Sequence, residues 1–100
     1  MTLMSMETHE RVRQLLNSRT EVLRKLAIVT GEANNQRLGV TFGGTYQDEA
    51  TVNLVRPVLV RQLLRDLEAV HNKIRAQGVE PDPISEKLKH AIQLIGEGDV

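Results

Sequence analysis

The sequence predicts an α+β protein that is mostly helical, with a long helix, a β-hairpin, a second long helix and a short C-terminal helix (αββαα). Two observations carry this prediction. Apolar residues recur at every third or fourth position over residues 5–29 and 57–77, which is the spacing of an amphipathic helix. Between these segments, in residues 37–55, they recur at every second position, which is typical of half-buried strands. We therefore expect the helices to pack as an antiparallel hairpin or bundle around a short hairpin connection.

The first predicted helix runs from about Ser5 to Val29. Its apolar residues fall on one seam with steps of three and four positions. The seam residues are Val12, Leu15, Val22, Leu26 and Val29. Arg19 occupies the seam position between Leu15 and Val22, so we expect its stem to lie at the edge of the core. Gly31 ends the helix, because glycine readily adopts the left-handed conformation of a C-cap.

The β-hairpin is predicted from two short runs of alternating residues. The apolar positions are Leu38, Val40 and Phe42 in the first strand and Ala50, Val52 and Leu54 in the second. Pairing Phe42 with Val52 and Val40 with Leu54 places both apolar rows on one face. This register centres the turn near Gln47, with a polar loop of about three to five residues. The adjacent glycines 43 and 44 are then expected to form a bulge or bend near the hairpin end.

The second helix is predicted to begin at Pro57 and to end near Gln77. Proline is best tolerated in the first turn of a helix, and Gly78 supplies the stop signal. Its apolar residues are spaced close to a heptad repeat. These seam residues are Val60, Leu63, Leu67, Val70 and Ile74. Because near-heptad seams are typical of helix–helix association, we expect this seam to form the interface of an oligomer.

The third helix is shorter, and its start is predicted from a capping signal. Asp82 is placed to cap it, with Pro83 at the first helical position. One face of this helix is apolar, formed by Ile84, Leu88, Ala91, Ile92 and Ile95. The whole chain is predicted to be a single domain, residues 1–100, in which residues 1–5 and 96–100 are disordered.

The composition predicts an oligomer. One Phe, one Tyr and no Trp occur among the 100 residues, so the core consists of aliphatic side chains. A chain of this length buries only roughly 60% of its unfolded surface, and such a thin core is often completed by a second subunit. We therefore predict a homo-oligomer, most simply a two-fold dimer. In it, the long helices form a bundle and the hairpins pair or pack across the interface.

Charge and cysteine content narrow the partners and the compartment. Thirteen basic residues balance 13 acidic residues, whereas binding to nucleic acid usually requires a basic excess. Nucleic-acid binding through the arginine-bearing faces of the first two helices is therefore the weakest alternative. No cysteine is present, so neither a disulfide nor a Cys-ligated metal is expected. No apolar run suits a signal peptide or a membrane span, and the predicted location is the cytoplasm.

Binding of a small anion or a nucleotide is a second alternative. The start of a helix attracts anions, and Arg56 stands at the predicted start of the second helix. Arg61 and Arg65 follow on successive turns of one face, and Gly43 and Gly44 of the hairpin complete the candidate set. A phosphate loop would require a lysine directly after its last glycine, and none follows here. Proline at the helix start also removes one N–H donor, and nearby acidic residues oppose the arginines.

Catalytic and metal-binding motifs are sparse. Glu68 and His71 form an E-x-x-H pair, and Glu86 and His90 form a second pair, but a di-iron bundle requires two E-x-x-H motifs and two further glutamates. The segment VRQLLNSRTEVLRKLA resembles the first helix of chorismate mutases of the all-helical class. That family lacks the strands predicted here, and none of its residues is carried over. We predict no metal, no cofactor and no enzymatic activity.

The function predicted first is that of a small non-catalytic interaction protein, such as an adaptor, an inhibitor or a regulatory or assembly subunit. The shape implied by the pattern favours it, because a helical seam with little to cover it and a marginal hairpin both require a partner. We expect it to bind another protein through the hairpin tip, formed by Tyr46, Gln47, Asp48 and Glu49.

Overall fold

The computed structural model describes residues 6–33 and 36–98, and it confirms the predicted order of elements. The helices are α1 (Met6–Thr30), α2 (Glu49–Ala76) and α3 (Glu86–Gly98), and the strands are β1 (Thr41–Phe42) and β2 (Thr45–Tyr46). Of the two segments predicted to be disordered, residues 1–5 and 99–100 lie outside the described residues. The remainder, residues 96–98, belongs to α3.

The core lies where α1 packs along α2 and α3 packs against both. Leu26 of α1 and Ile74 of α2 are fully buried. The central cluster consists of Leu26, Val29, Val60, Leu67 and Leu88. The buried residues of α1 and α2 in this cluster belong to the two predicted seams, because helical periodicity alone decides which residues share a face. The molecule is elongated, with principal dimensions of 55 × 30 × 22 Å.

The predicted hairpin register was wrong. Thr41 pairs with Tyr46 and Phe42 pairs with Thr45 in an antiparallel ladder, so the second strand lies at residues 45–46 rather than 50–54. Gly43 and Gly44 form the turn itself, with φ values of 58° and 84°. Positive φ at both central positions is the requirement of a type I′ turn, whose twist matches that of the strands. The glycine pair therefore specifies a two-residue connection, not a bulge beside a longer loop.

Helix α2 begins eight residues earlier than predicted. Asp48 is its N-cap, and the Asp48 side chain accepts a hydrogen bond from the backbone N–H of Thr51 at 3.0 Å. The alternation of Ala50, Val52 and Leu54 is therefore helical sequence. Only Val52 of these three faces the core, because a helix turns neighbouring apolar residues in different directions.

Pro57 lies inside α2 and not at its start. A proline in a helix interior cannot donate a hydrogen bond to the carbonyl four residues earlier, and the cost is about 3 kcal/mol. The predicted helix start at this residue was wrong, because proline is disfavoured but not excluded in a helix interior. Here α2 extends in both directions from it, with a cap before it and a long buried seam after it.

The ends of α2 and α3 show one confirmed and one corrected prediction. Gly78 follows the end of α2 with a φ of 82°, as expected for a glycine after a C-cap. At α3 the predicted cap was wrong, because Ser85 occupies the capping position instead of Asp82. The Ser85 hydroxyl accepts a hydrogen bond from the backbone N–H of Leu88 at 3.2 Å. Pro83 consequently precedes the helix.

Candidate functional site

Exposed apolar side chains concentrate between residues 42 and 58. Phe42 and Tyr46 of the hairpin are 63% and 78% exposed, and Leu54 and Val58 of α2 are 78% and 54% exposed. These four are the majority of the large exposed apolar residues in the described part of the chain. Leu54 and Val58 are four positions apart and therefore share one face of α2, whereas Phe42 and Tyr46 are in different strands of the hairpin. We call residues 42–58 the apolar segment.

The hairpin is held by local contacts. Within the described residues, β1 and β2 contact each other and neither contacts a helix. The backbone N–H of Gln47 donates to the Val40 carbonyl at 2.8 Å, and the Gln47 side chain donates to the Thr45 carbonyl at 3.0 Å. The Tyr46 ring lies over Gly39, where an added Cβ would be 3.2 Å from the ring. An isolated two-stranded hairpin is only marginally stable, and the segment that leads into this one is fixed to the core by Leu38.

The two faces of the hairpin differ. Residues directly opposite each other in an antiparallel pair share a face, so Tyr46 lies on the face of Thr41, and Phe42 lies on the face of Thr45. Tyr46 partly covers its own face through its contact with Gly39. The opposite face presents Phe42 to solvent.

The four residues predicted as the hairpin tip have separate tasks. The tip is Gly43–Gly44, and Tyr46 is the one predicted residue that lies in a strand. Asp48 caps α2: the backbone N–H of Thr51 and then the Thr51 side chain hold the pKa of the Asp48 carboxyl below its usual range. Glu49 lies 3.7 Å from the guanidinium of Arg56. Two residues of the apolar segment, Phe42 and Leu54, had been assigned to the buried face, and the Gly-Gly dipeptide was the signal that places the turn correctly.

The five residues of the predicted anion site are not brought together. Arg56 donates to the carbonyl of Val29, so its positive charge stabilises the C-terminal end of α1. The cleft beside Arg56, of about 340 Å³, is lined by Arg37, Glu49 and the end of α1, and by none of the other four. Gly43 and Gly44 form the hairpin turn, and Arg61 and Arg65 lie on the exposed side of α2. A helix C-terminus and a carboxylate in the cleft oppose the binding of an anion.

The seam predicted as an oligomer interface is mostly buried within the single chain. Val60, Leu67 and Ile74 are buried between the helices, and Leu63 and Val70 are half-buried. Val60, Leu63 and Leu67 pack in one cluster with residues of α1 and α3, so most of the seam belongs to the core of the single chain.

An apolar groove of about 340 Å³ runs between α1 and α2 near the base of the hairpin. Most of its lining is apolar, and Lys25 and Gln62 are its polar lining residues. The apolar lining residues are Ile28, Val29, Leu38, Leu59 and Leu63. We call this feature the α1–α2 groove. One of its lining residues, Leu38, precedes β1 by three residues in the sequence.

A polar junction joins all three helical regions. Arg19 of α1 donates from Nε to His71 Nε2 of α2 at 3.0 Å and from its terminal nitrogen to the Asp82 carbonyl at 2.5 Å. Burial, then the charges of Arg19 and Arg75, lower the pKa of His71 from its usual value, while Glu68 and Glu80 oppose this shift. Because Nε2 accepts the bond from Arg19, this contact requires the neutral imidazole.

His71 therefore serves as a hydrogen-bond acceptor in this structure. Among residues 6–33 and 36–98, no group of three or more His, Cys, Asp or Glu side chains is placed to hold a metal ion. The E-x-x-H pair at Glu68 and His71 thus has no third ligand in the described part of the chain. No described helix is long and apolar enough to cross a membrane.

Comparison of the chain with protein-family models, with curated proteins and with solved structures gives no match.

Proposed function

We propose that this protein is a small non-catalytic interaction protein that acts as a homodimer, in the role of an adaptor, an inhibitor or a regulatory or assembly subunit. The supporting observation is the amount and character of its exposed surface. The chain exposes 7383 Å². The scaling law for compact monomers gives about 5,700 Å² for a mass of 11.2 kDa, so the excess is about 1,700 Å².

This excess reflects the elongated shape of the chain, which leaves more surface open to a partner than a compact chain would. A stable interface removes about 800 Å² from each partner. The radius of gyration supports the same conclusion, since it is 16.4 Å, against about 13 Å for a compact chain of 100 residues. The shape is that of two long helices with one short helix against them, and a second copy would convert it to a more compact particle.

The apolar segment is the part of the surface best suited to this contact. It combines a marginally stable hairpin with two exposed apolar residues of α2, Leu54 and Val58. Burial of apolar area contributes about 25 cal/mol per Å². A two-fold dimer uses the same surface on both copies, so the exposed residues of the segment are buried on each of the two chains. The remaining surface, including the exposed face of α3, is left for another protein.

The test is the mass of the protein in solution, measured by sedimentation equilibrium over a range of concentrations. We expect a dimer of the 11.2 kDa chain for the unaltered protein. The double variant Phe42→Ser, Leu54→Ser should be a monomer with unchanged helix content. The matched control Leu16→Ser, Leu94→Ser changes two exposed leucines outside the apolar segment and should remain a dimer. A monomer at all concentrations for the unaltered protein would overturn the proposal.

A further inference from the structure

We infer that α3 is held in place by a pH-sensitive switch, in which Arg19 bonds to neutral His71 and to the Asp82 carbonyl, and that protonation of His71 releases α3. The release is local, because α1 and α2 stay packed along each other while α3 and the segment before it detach. The switch lies within a single chain and does not depend on the proposed dimer.

A single guanidinium connects three parts of the fold. Arg19 of α1 donates from Nε to His71 Nε2 at 3.0 Å and from a terminal nitrogen to the Asp82 carbonyl at 2.5 Å. Asp82 lies between α2 and α3, three residues before the capping Ser85. Because one side chain makes both bonds, a change that displaces Arg19 from His71 also disturbs its bond to the segment that leads into α3.

The bond between Arg19 and His71 depends on the protonation of the imidazole. Arg19 has donors and no acceptor, so Nε2 of His71 must be unprotonated to accept this bond. In the imidazolium, Nε2 carries a proton, and two positively charged donors then face each other and repel. Histidine is the side chain whose charge ordinarily changes between about pH 5 and 8, so moderate changes of pH act on this contact.

The charges around His71 come from three parts of the chain. Arg19 faces it from α1. Glu68 and Arg75 belong to α2, and Glu80 belongs to the segment before α3. Burial, then Arg19 and Arg75, hold the pKa of His71 below its usual value, against the opposing effect of the two glutamates. Glu80 also lies 3.5 Å from Nε of Arg75, which offsets part of its attraction for an imidazolium.

α3 is the element that this switch can detach. It has 13 residues, and an isolated helix of about this length is marginal in water, so α3 depends on docking. Its buried residues are Leu88 and Ala91. By contrast, α1 and α2 have 25 and 28 residues and bury Leu26 and Ile74 completely. Detachment removes Leu88 from the central cluster and uncovers the apolar surface of α1 and α2 against which it packs.

The direction of the pH effect follows from which form binds the proton more tightly. When α3 is detached, His71 is free of Arg19 and open to water, and its pKa returns toward about 6.5. The detached form therefore gains population as the pH falls below about 6.5. This ordinary value limits the gain to about tenfold between about pH 7.5 and 5.5.

The test is amide hydrogen exchange of the full chain, followed by NMR at about pH 7.5 and 5.5. Expressing the rates as protection factors removes the intrinsic effect of pH on exchange. We expect the amides of α3, such as those of Ala91 and Ile92, to be less protected than those of Leu26 and Ile74, because α3 opens separately. Their protection should fall by up to about tenfold at the lower pH.

Two glutamine variants identify the group responsible. His71→Gln keeps an acceptor for Arg19 and cannot take up a proton, so the pH dependence of α3 protection should disappear. His71→Asn replaces it if that variant does not fold. His90→Gln removes an exposed imidazole from α3 itself, and as the matched control it should retain the full response.

Three results would overturn the switch. Protection of α3 that does not change with pH in the unaltered protein would show that His71 does not control docking. Equal protection of all three helices would show that α3 leaves only when the whole chain unfolds. A pH response that persists in the His71→Gln variant would assign the response to another group.

Discussion

Replacing Arg19 by Met should destabilise the protein, and the same replacement at Arg24 on the same helix should not. The partners of Arg19 lie 52 and 63 residues along the chain, so one guanidinium joins α1 to α2 and to the segment before α3. Methionine keeps a long apolar stem but has no donor, so most packing is retained while both hydrogen bonds are lost. Among the described residues, Arg24 bonds to Glu21, three residues away on the same exposed face.

The magnitude follows from the surroundings of the two bonds. A hydrogen bond from a charged donor contributes about 1.5–3 kcal/mol, which sets an upper limit of about 6 kcal/mol for the pair. Asp82 is exposed and His71 is half-buried, so water replaces part of what is lost. We therefore expect a loss of about 2 kcal/mol. For a domain of this size, that corresponds to a fall of about 8–16 °C in the unfolding midpoint.

The assay is thermal unfolding followed by circular dichroism, at neutral pH and at one fixed protein concentration, because the proposed dimerisation would make the midpoint concentration-dependent. A double-mutant cycle that combines Arg19→Met with His71→Ala measures their coupling and removes effects of either substitution alone. Equal shifts of the unfolding midpoint for the Arg19 and Arg24 variants would refute the reasoning. The two long-range bonds of Arg19 would then contribute no more stability than the exposed ion pair of Arg24 with Glu21.

Three further predictions concern the pH profile, the core and the turn. Because the pKa of His71 is lowered in the folded state, the unfolded chain binds the proton more readily, and stability should fall as the pH drops below about 6.5. His71→Gln keeps an acceptor for Arg19 but does not titrate. If the unfolding midpoint of this variant depended on pH as strongly as that of the unaltered protein, His71 would not be the group responsible. Leu26→Ala, at a fully buried position, should cost about 2–5 kcal/mol in urea unfolding, whereas Leu16→Ala on the exposed side of α1 should cost far less. Gly43→Ala should weaken the hairpin by about 1–2 kcal/mol because φ is positive there; Gly43→Asn should be better tolerated. The readout is the NMR contact between Thr41 and Tyr46, and its full retention in the alanine variant would argue against the assigned turn.

The candidate site shows where reasoning from the sequence failed and why. An alternation over only five residues, 50–54, was interpreted as a strand, but a capping aspartate preceded it and a helix resulted. Local hydrogen bonds at the cap outweighed a short apolar pattern. Pro57 strengthened the error, because a proline signals a helix start more often than a helix interior. The Gly43–Gly44 pair contained the correct information, since two adjacent glycines suit a two-residue turn.

The sequence by itself determined the order of elements and the seams of the helices, because periodicity and capping are local properties of neighbouring residues. It did not determine which apolar residues remain exposed. Val52 and Leu54 belong to the same pattern, yet one is 4% exposed and the other 78%. Likewise, no local signal pairs Arg19 with a histidine 52 residues away. Burial and such distant pairing depend on which face of each helix meets another element, and only the tertiary structure decides that.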